Sequence, residues 1–167
     1  KLEGGLALLN ANARLTAEIA RVSGVVPQVA VVIGTCAGSN AINAAAADVC
    51  VMAEDAELFL NAPFNAEDKV ANAGSAEFAA KAGVAAVTAK DAVEAAKQAA
   101  SIVALLPANN LAGPALFDFA APAKALDLVK YTAAGAVEAL ADEGSAVELY
   151  AGYGKNIVTA LATINGS

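Results

Sequence analysis

The sequence predicts an α/β fold, and three observations carry that expectation. Residues 25–33 form an almost continuous β-branched run, opened near Pro27 and closed by Gly34, as expected of a strand buried on both faces. A glycine-bearing tight turn (34–39) and a short alanine-rich helix (40–47) follow, and a second apolar run over 49–53 returns the chain to a strand. With 167 residues, 58% of them apolar and 16% charged, the chain is long enough for one domain with a substantial core. Much of the apolar count is alanine, which packs backbones closely without bulk, so thin layers of tightly apposed helix and strand are expected.

Taken in order, residues 6–22 read as an amphipathic helix with Leu6, Leu9, Ala13, Ala17 and Ala20 on one face and Glu18 and Arg21 on the other; Ser23 and Gly24 stop it. After the strand, turn, helix and strand of 25–53 come an acidic turn and a short apolar piece at 57–60. The chain is polar and irregular over 65–72, resumes as helix or turn over 76–81, and gives a small strand at 83–87. Residues 91–106 form a helix with Asp91 at or near its N-cap and Pro107 at its end. A linker over 109–114 leads to a helix within 123–140, an acidic turn at Asp142, Glu143 and Gly144, a strand at 147–150 and a strand-like run over 157–164.

Composition excludes several functions. A net charge of −7 and a pI near 4.5 argue against nucleic acid, whose phosphates require clustered Lys and Arg. Cys36 and Cys50 lack CxxC spacing and support neither a disulfide framework nor a zinc site, and a cytoplasmic setting is expected. No apolar run has the length of a membrane span. The chain has no histidine, so neither a Ser-His-Asp triad nor a Cys-His pair can be completed within it.

The segment best suited to chemistry is the turn Gly34-Thr35-Cys36-Ala37-Gly38-Ser39. Glycines allow close backbone approach, and the N–H groups of a helix's first turn point outward at the positive end of its dipole. Two such donors in a dry site can hold a developing oxyanion, each worth about 3 kcal/mol in acyl transfer. The bland reading, a turn and nothing more, is the commoner one for such a segment taken alone. A phosphate loop of the GxxxxGK[ST] kind is disfavoured because its lysine is missing. Cys36 reads as a small packed hydrophobe, Asp48 as a cap in preference to a site residue, Glu54, Asp55 and Glu57 as a solvated turn, and Lys69, Lys81 and Lys90 as solvated surface that could also meet coenzyme A phosphates.

Read with its neighbours, the turn gains meaning. Val26-Pro27-Gln28, the strand to Ile33, Gly34-Thr35-Cys36-Ala37-Gly38-Ser39, the small-residue helix, then Asp48 and Met52 resemble the biotin-dependent acyl-CoA carboxyltransferases, whose pattern is VPQ, a hydrophobic strand, G-x-x-A-G-G, a helix and D-x-x-x-M. Glu3-Gly4 is similar to the end of that family's A-R-x-x-E-G element, Phe59 to Pro63 to its F-x-x-G-P, Ala73-Gly74-Ser75-Ala76 to its L-G-G-A, and Ser101 with Leu105 to Asn110 to its S-Y-L-P-x-N-N. Leu149-Tyr150, Tyr153-Gly154 and Asn156 to Thr159 resemble the opening of the family's second half.

The resemblance implies an incomplete crotonase-like ββα superhelix, with residues 1–115 in an N-terminal half and 116–167 beginning a C-terminal half. It implies carboxyl transfer between carboxybiotin, carried on a partner domain or protein, and an acyl-CoA, in the carboxylase or decarboxylase direction. Gly38 and Ser39 would supply catalytic N–H groups, with Gly34, Ala62, Pro63, Gly74 and Ser75 binding substrate. Other carboxylase or decarboxylase subunits and further copies of the chain would be partners. The chain departs from the pattern at Ser39, Ala62 and Ser75, each standing where the family has glycine, and the stretch from Pro63 to Ala73 is shorter. These departures keep open a non-catalytic subunit of such a complex, and Ser39 keeps open, less readily, a Clp-type serine peptidase. The ends suggest part of a longer protein or a proteolytic remnant.

Overall fold

The computed structural model describes residues 5–63, 70 and 72–167. Glu3-Gly4 and Lys69 lie outside the described residues, as does most of the polar stretch after Pro63.

The framework is a parallel three-stranded sheet, in the order β1-β3-β5, formed by β1 (Val29–Val32), β3 (Val49–Ala53) and β5 (Val87–Ala89). β3 is the central strand and every residue in it is buried. The long apolar run before Gly34 contributes only four residues to the sheet, as edge strand β1, and is not buried on both faces: Val32 is buried, whereas Ile33 is 58% exposed. An uninterrupted β-branched run shows strand propensity but not which strand lies in the middle.

Helix α4 (Ala92–Leu105) covers this sheet, packing on all three strands. Its N-cap is Asp91, whose carboxylate accepts from the Glu94 N–H at 2.8 Å, and it ends before Pro107, as the sequence predicts. Ala95, Ala99 and Ile102, on one face of α4, enter a core with Val51, Met52, Ala53, Ala85, Ala86 and Ala89. Alanine dominates this core, so helix and sheet approach closely, the thin layering expected from composition.

A second, smaller parallel sheet pairs β2 (Thr35–Ala37) with β4 (Glu57–Phe59). Residues 34–39 are therefore not a simple tight turn: three of them form a strand before α2 (Ser39–Ala45) begins. α3 (Ala76–Lys81) forms where helix or turn was expected. The strand expected at 83–87 lies at Val87–Ala89; Gly83, with φ +75°, is in the turn after α3 instead. The helix expected within 123–140 is confined to α5 (Ala133–Leu140), capped by Thr132, whose hydroxyl accepts from the Gly135 N–H. β6 (Val147–Leu149) and β7 (Thr159–Leu161) form an antiparallel hairpin whose Val147, Leu149 and Leu161 pack against the main core.

Helix α1 (Gly5–Val22) has the predicted extent but a different inner face. Asn12, Ile19 and Val22 are its half-buried positions, and Thr16 donates to the Asn43 side-chain oxygen of α2 at 2.8 Å. Leu6, Leu9, Ala13, Ala17 and Ala20 face solvent, Leu6 being 84% exposed. Apolar residues occur on more than one side of this helix, so periodicity alone does not decide which face packs. Among the described residues, no helix is long and apolar enough to cross a membrane.

Candidate functional site

Strand β4 brings the predicted site residues together. On one side β2 pairs with it in register, Thr35 with Glu57, Cys36 with Leu58 and Ala37 with Phe59. Two backbone bonds extend that ladder at either end: the Glu57 N–H donates to the Gly34 carbonyl at 3.2 Å, and the Gly38 N–H donates to the Phe59 carbonyl at 3.1 Å. On the other side the Leu58 N–H donates to the Gly74 carbonyl at 2.7 Å, and Ser75 bridges antiparallel to Glu57. Gly34, Gly38, Gly74 and Ser75 thus converge on three consecutive residues.

The local chemistry explains several of these residue types. Gly38 stands at the N-cap of α2 with φ +62° and ψ −132°, a conformation essentially restricted to glycine. Ser39 is the first helical residue and needs no unusual backbone, so serine is accommodated where the family pattern has its second glycine. Gly74, at φ +88°, is buried: a Cβ there would lie 3.1 Å from Phe59 Cδ1 and 3.4 Å from Pro63 Cγ. Ser75 is the N-cap of α3, its hydroxyl accepting from the Phe78 N–H at 3.1 Å. Ala62 and Pro63 are half-buried at the exit from β4.

Of the two N–H groups singled out in the sequence, that of Gly38 is committed to Phe59. The Ser39 N–H has no acceptor among the described residues, as the opening of a helix requires. The two thiols nearby are held in their protonated form. Burial pushes the half-buried Cys36 thiol up, and it pushes the Cys50 thiol to about 11, with neighbouring Cys36 adding to the shift. Neither is a ready thiolate. Asp48 accepts from the Gln28 N–H at 2.8 Å and ties the starts of β1 and β3 together, a structural role. Among the described residues, no group of acidic and cysteine side chains could hold a metal ion.

Two further features escaped sequence reasoning. Phe59, read as one letter of a motif, supplies both the carbonyl that holds Gly38 and the ring that packs on Gly74. Asp142, read as part of an acidic turn, is buried: it accepts from the Thr163 hydroxyl at 2.7 Å and from the Gly166 and Asn165 N–H groups at 2.8 and 3.0 Å. The hydrogen bond from Thr163, followed by that from Gly166, holds its carboxyl below the usual range. An Asp-Glu-Gly triplet gives no signal that its aspartate folds inward; Thr163 and Gly166, more than twenty positions away, supply the reason.

The sequence profile of the carboxyl transferase domain matches residues 1–167. The chain belongs to the carboxyl transferase domain family. It is 27% identical over 183 positions to the methylmalonyl-CoA carboxyltransferase 12S subunit of Propionibacterium freudenreichii subsp. shermanii, a match covering 99% of the chain and 35% of that relative. The matched span exceeds the chain's 167 residues, so the relative carries residues that this member of the family lacks. Among solved structures, the transcarboxylase 12S hexamer with methylmalonyl-CoA and methylmalonic acid bound has a TM-score of 0.86 at 27% identity, over 99% of this chain and 36% of that one. A single-chain, multi-domain long-chain acyl-CoA carboxylase has a TM-score of 0.74 at 26% identity, over 99% and 18% respectively. The chain thus spans about a third of the transferase subunit that it resembles.

Proposed function

We propose that the chain is the carboxyltransferase component of a biotin-dependent acyl-CoA carboxylase or decarboxylase, moving a carboxyl group between carboxybiotin on a carrier partner and an acyl-CoA. The observation that carries this reading is the end-to-end family match, from residue 1 to residue 167. The 12S relatives support it further, since one is solved with methylmalonyl-CoA bound in a hexameric core. A crotonase-like ββα frame, with residues 1–115 in one half and 116–167 in the next, belongs to the same proposal, as does assembly with further copies and with other subunits.

The reaction asks for an anion holder, because a thioester enolate or a biotin that has released its carboxylate carries a full negative charge on oxygen. In this reading Gly38 and Ser39 divide the task. Gly38, fixed by Phe59, orients the first peptide of α2, and the exposed Ser39 N–H meets the oxyanion. Gly34 closes the ladder below, while Pro63, Gly74 and Ser75 hold the β4 exit against which the acyl-CoA lies, with Ala62 beside them. No step draws on a histidine.

The direct test is transfer of a labelled carboxyl group from an acyl-CoA to biotin by the protein expressed from its natural gene. Gly38→Val, which cannot hold φ +62° without strain, is expected to reduce transfer by about 10²-fold or more while circular dichroism stays unchanged. Undiminished transfer by the folded variant contradicts the assignment of the turn. Covalent labelling of Ser39 by a fluorophosphonate would instead indicate a serine hydrolase.

A further inference from the structure

When glycine follows asparagine, the side-chain amide is unusually open to attack by the next backbone nitrogen, because glycine has no Cβ to shield that nitrogen. Asn165-Gly166 is the one Asn-Gly pair in the sequence. It forms the middle of a turn over residues 164–167, with Asn165 at φ +57° and Gly166 at φ +79°. Left-handed backbone at both central positions marks a type I′ turn, which asparagine and glycine adopt at least cost. The flanking residues close it: the Ile164 N–H donates to the Ser167 carbonyl at 2.9 Å, and the Ser167 N–H to the Ile164 carbonyl at 3.4 Å.

Asn165 is exposed, whereas Gly166 is buried and held on both sides of its peptide. Its N–H donates to Asp142 Oδ2 at 2.8 Å, and its carbonyl accepts from the Phe117 N–H at 2.9 Å. A Cβ on Gly166 would lie 2.6 Å from the Phe117 carbonyl oxygen, so the two strands of chain are in close contact. Asp142 is itself fixed, by the Thr163 hydroxyl at 2.7 Å and by the Asn165 N–H at 3.0 Å. The one nitrogen able to attack the Asn165 amide is therefore tied to a carboxylate, and it cannot turn toward Asn165 Cγ without breaking these bonds.

We infer that Asn165 is a deamidation site and that Asp142, by occupying the Gly166 N–H, holds it unreactive in the folded chain. When the turn opens, the Gly166 nitrogen attacks Asn165 Cγ. A bond from that nitrogen to Cγ forms, the Cγ–Nδ2 bond breaks, and the amide leaves as ammonia with the proton that the Gly166 nitrogen gives up. Water then opens the cyclic imide at either carbonyl, leaving aspartate or isoaspartate, so the whole conversion consumes one water and releases one ammonia. Aspartate at 165 sets a second carboxylate beside Asp142, and isoaspartate lengthens the backbone by a carbon, which the turn cannot accommodate. Either product loosens the hold of Asp142 on Gly166 and of Gly166 on Phe117. The site stands whether or not the chain transfers carboxyl groups.

The test is peptide mapping by mass spectrometry of the whole chain aged near neutral pH, following aspartate and isoaspartate at position 165. The folded protein is expected to convert at least about tenfold more slowly than the same chain in urea, the ratio being set by local opening of the turn. Asp142→Ala removes the acceptor of two N–H groups and should speed conversion about tenfold or more; Thr163→Val, which only loosens the carboxylate, should speed it about threefold. Ile102→Ala, which lowers global stability from within α4, should leave the rate within about twofold of the unaltered protein. Acceleration by the Asp142 and Thr163 variants with Ile102→Ala unmoved supports the proposal, and if Asp142→Ala does not fold, Thr163→Val carries the comparison alone. Conversion in the folded protein as fast as in urea overturns it. So do rates in both turn variants at or below the unaltered rate, and so does equal acceleration by Ile102→Ala, which would make global unfolding the gate instead of Asp142.

Discussion

At Gly74 the absence of one methyl group lets three pieces of chain meet. The residue sits at φ +88° with Phe59 and Pro63 where a Cβ would go. Gly74→Ala is therefore expected to cost about 1–3 kcal/mol, from backbone strain and crowding together, read as a lower urea midpoint at unchanged slope. Gly34→Ala, with neither positive φ nor a nearby atom, should be close to neutral in stability. Asp142 acts at the same scale but through pH. Its folded carboxyl titrates below its ordinary value of 3.8, so its contribution is fully present above that value and is lost as pH falls through the lower, folded one. Asp142→Asn should lower stability near neutral pH and flatten the acid limb below pH 3.8, measured as Tm against pH. The sequence showed Asp91 as a cap because its partner lies three residues away. It did not show Ser75 as one, since the residue was read only as a departure from a glycine motif, nor Asp142, whose partners are remote in sequence.

Elements were legible in proportion to their length and the locality of their bonding. α1 and α4 are long and periodic, and both stand where expected. Which face of α1 packs was not legible, because its half-buried positions include the polar Asn12 while Leu6 and Leu9 face solvent. β2 is three residues between two glycines, and it exists because residues 57–59 come beside it, a pairing that no local pattern announces. α4 shows how an element's weight in the fold is set by what it touches. Ile102 is fully buried against the sheet, whereas Val93 on the same helix is 65% exposed. Ile102→Ala should cost about 2–5 kcal/mol in denaturant titration, and Val93→Ala less than about 0.5 kcal/mol. Equal losses would mean that α4 does not cover the sheet through the face described.

At the scale of the molecule, composition gave the alanine-dominated, closely layered core, but it carried no function. The functional proposal came from the order and spacing of short motifs, whose residues the fold gathers around β4: Gly34, Gly38, Gly74 and Ser75 lie at its hydrogen-bonded neighbours. What the motifs could not show is that Phe59 holds the Gly38 N–H, because a backbone bond between two strands leaves no trace in side-chain identity. The central claim is carboxyl transfer. It is tested most directly by incubating the protein with an acyl-CoA labelled in its free carboxyl group and a biotin carrier, then following the label. The account predicts acid-labile label on biotin, with transfer reduced in Gly38→Val; label remaining wholly on coenzyme A, with a folded protein that binds the thioester, would contradict it.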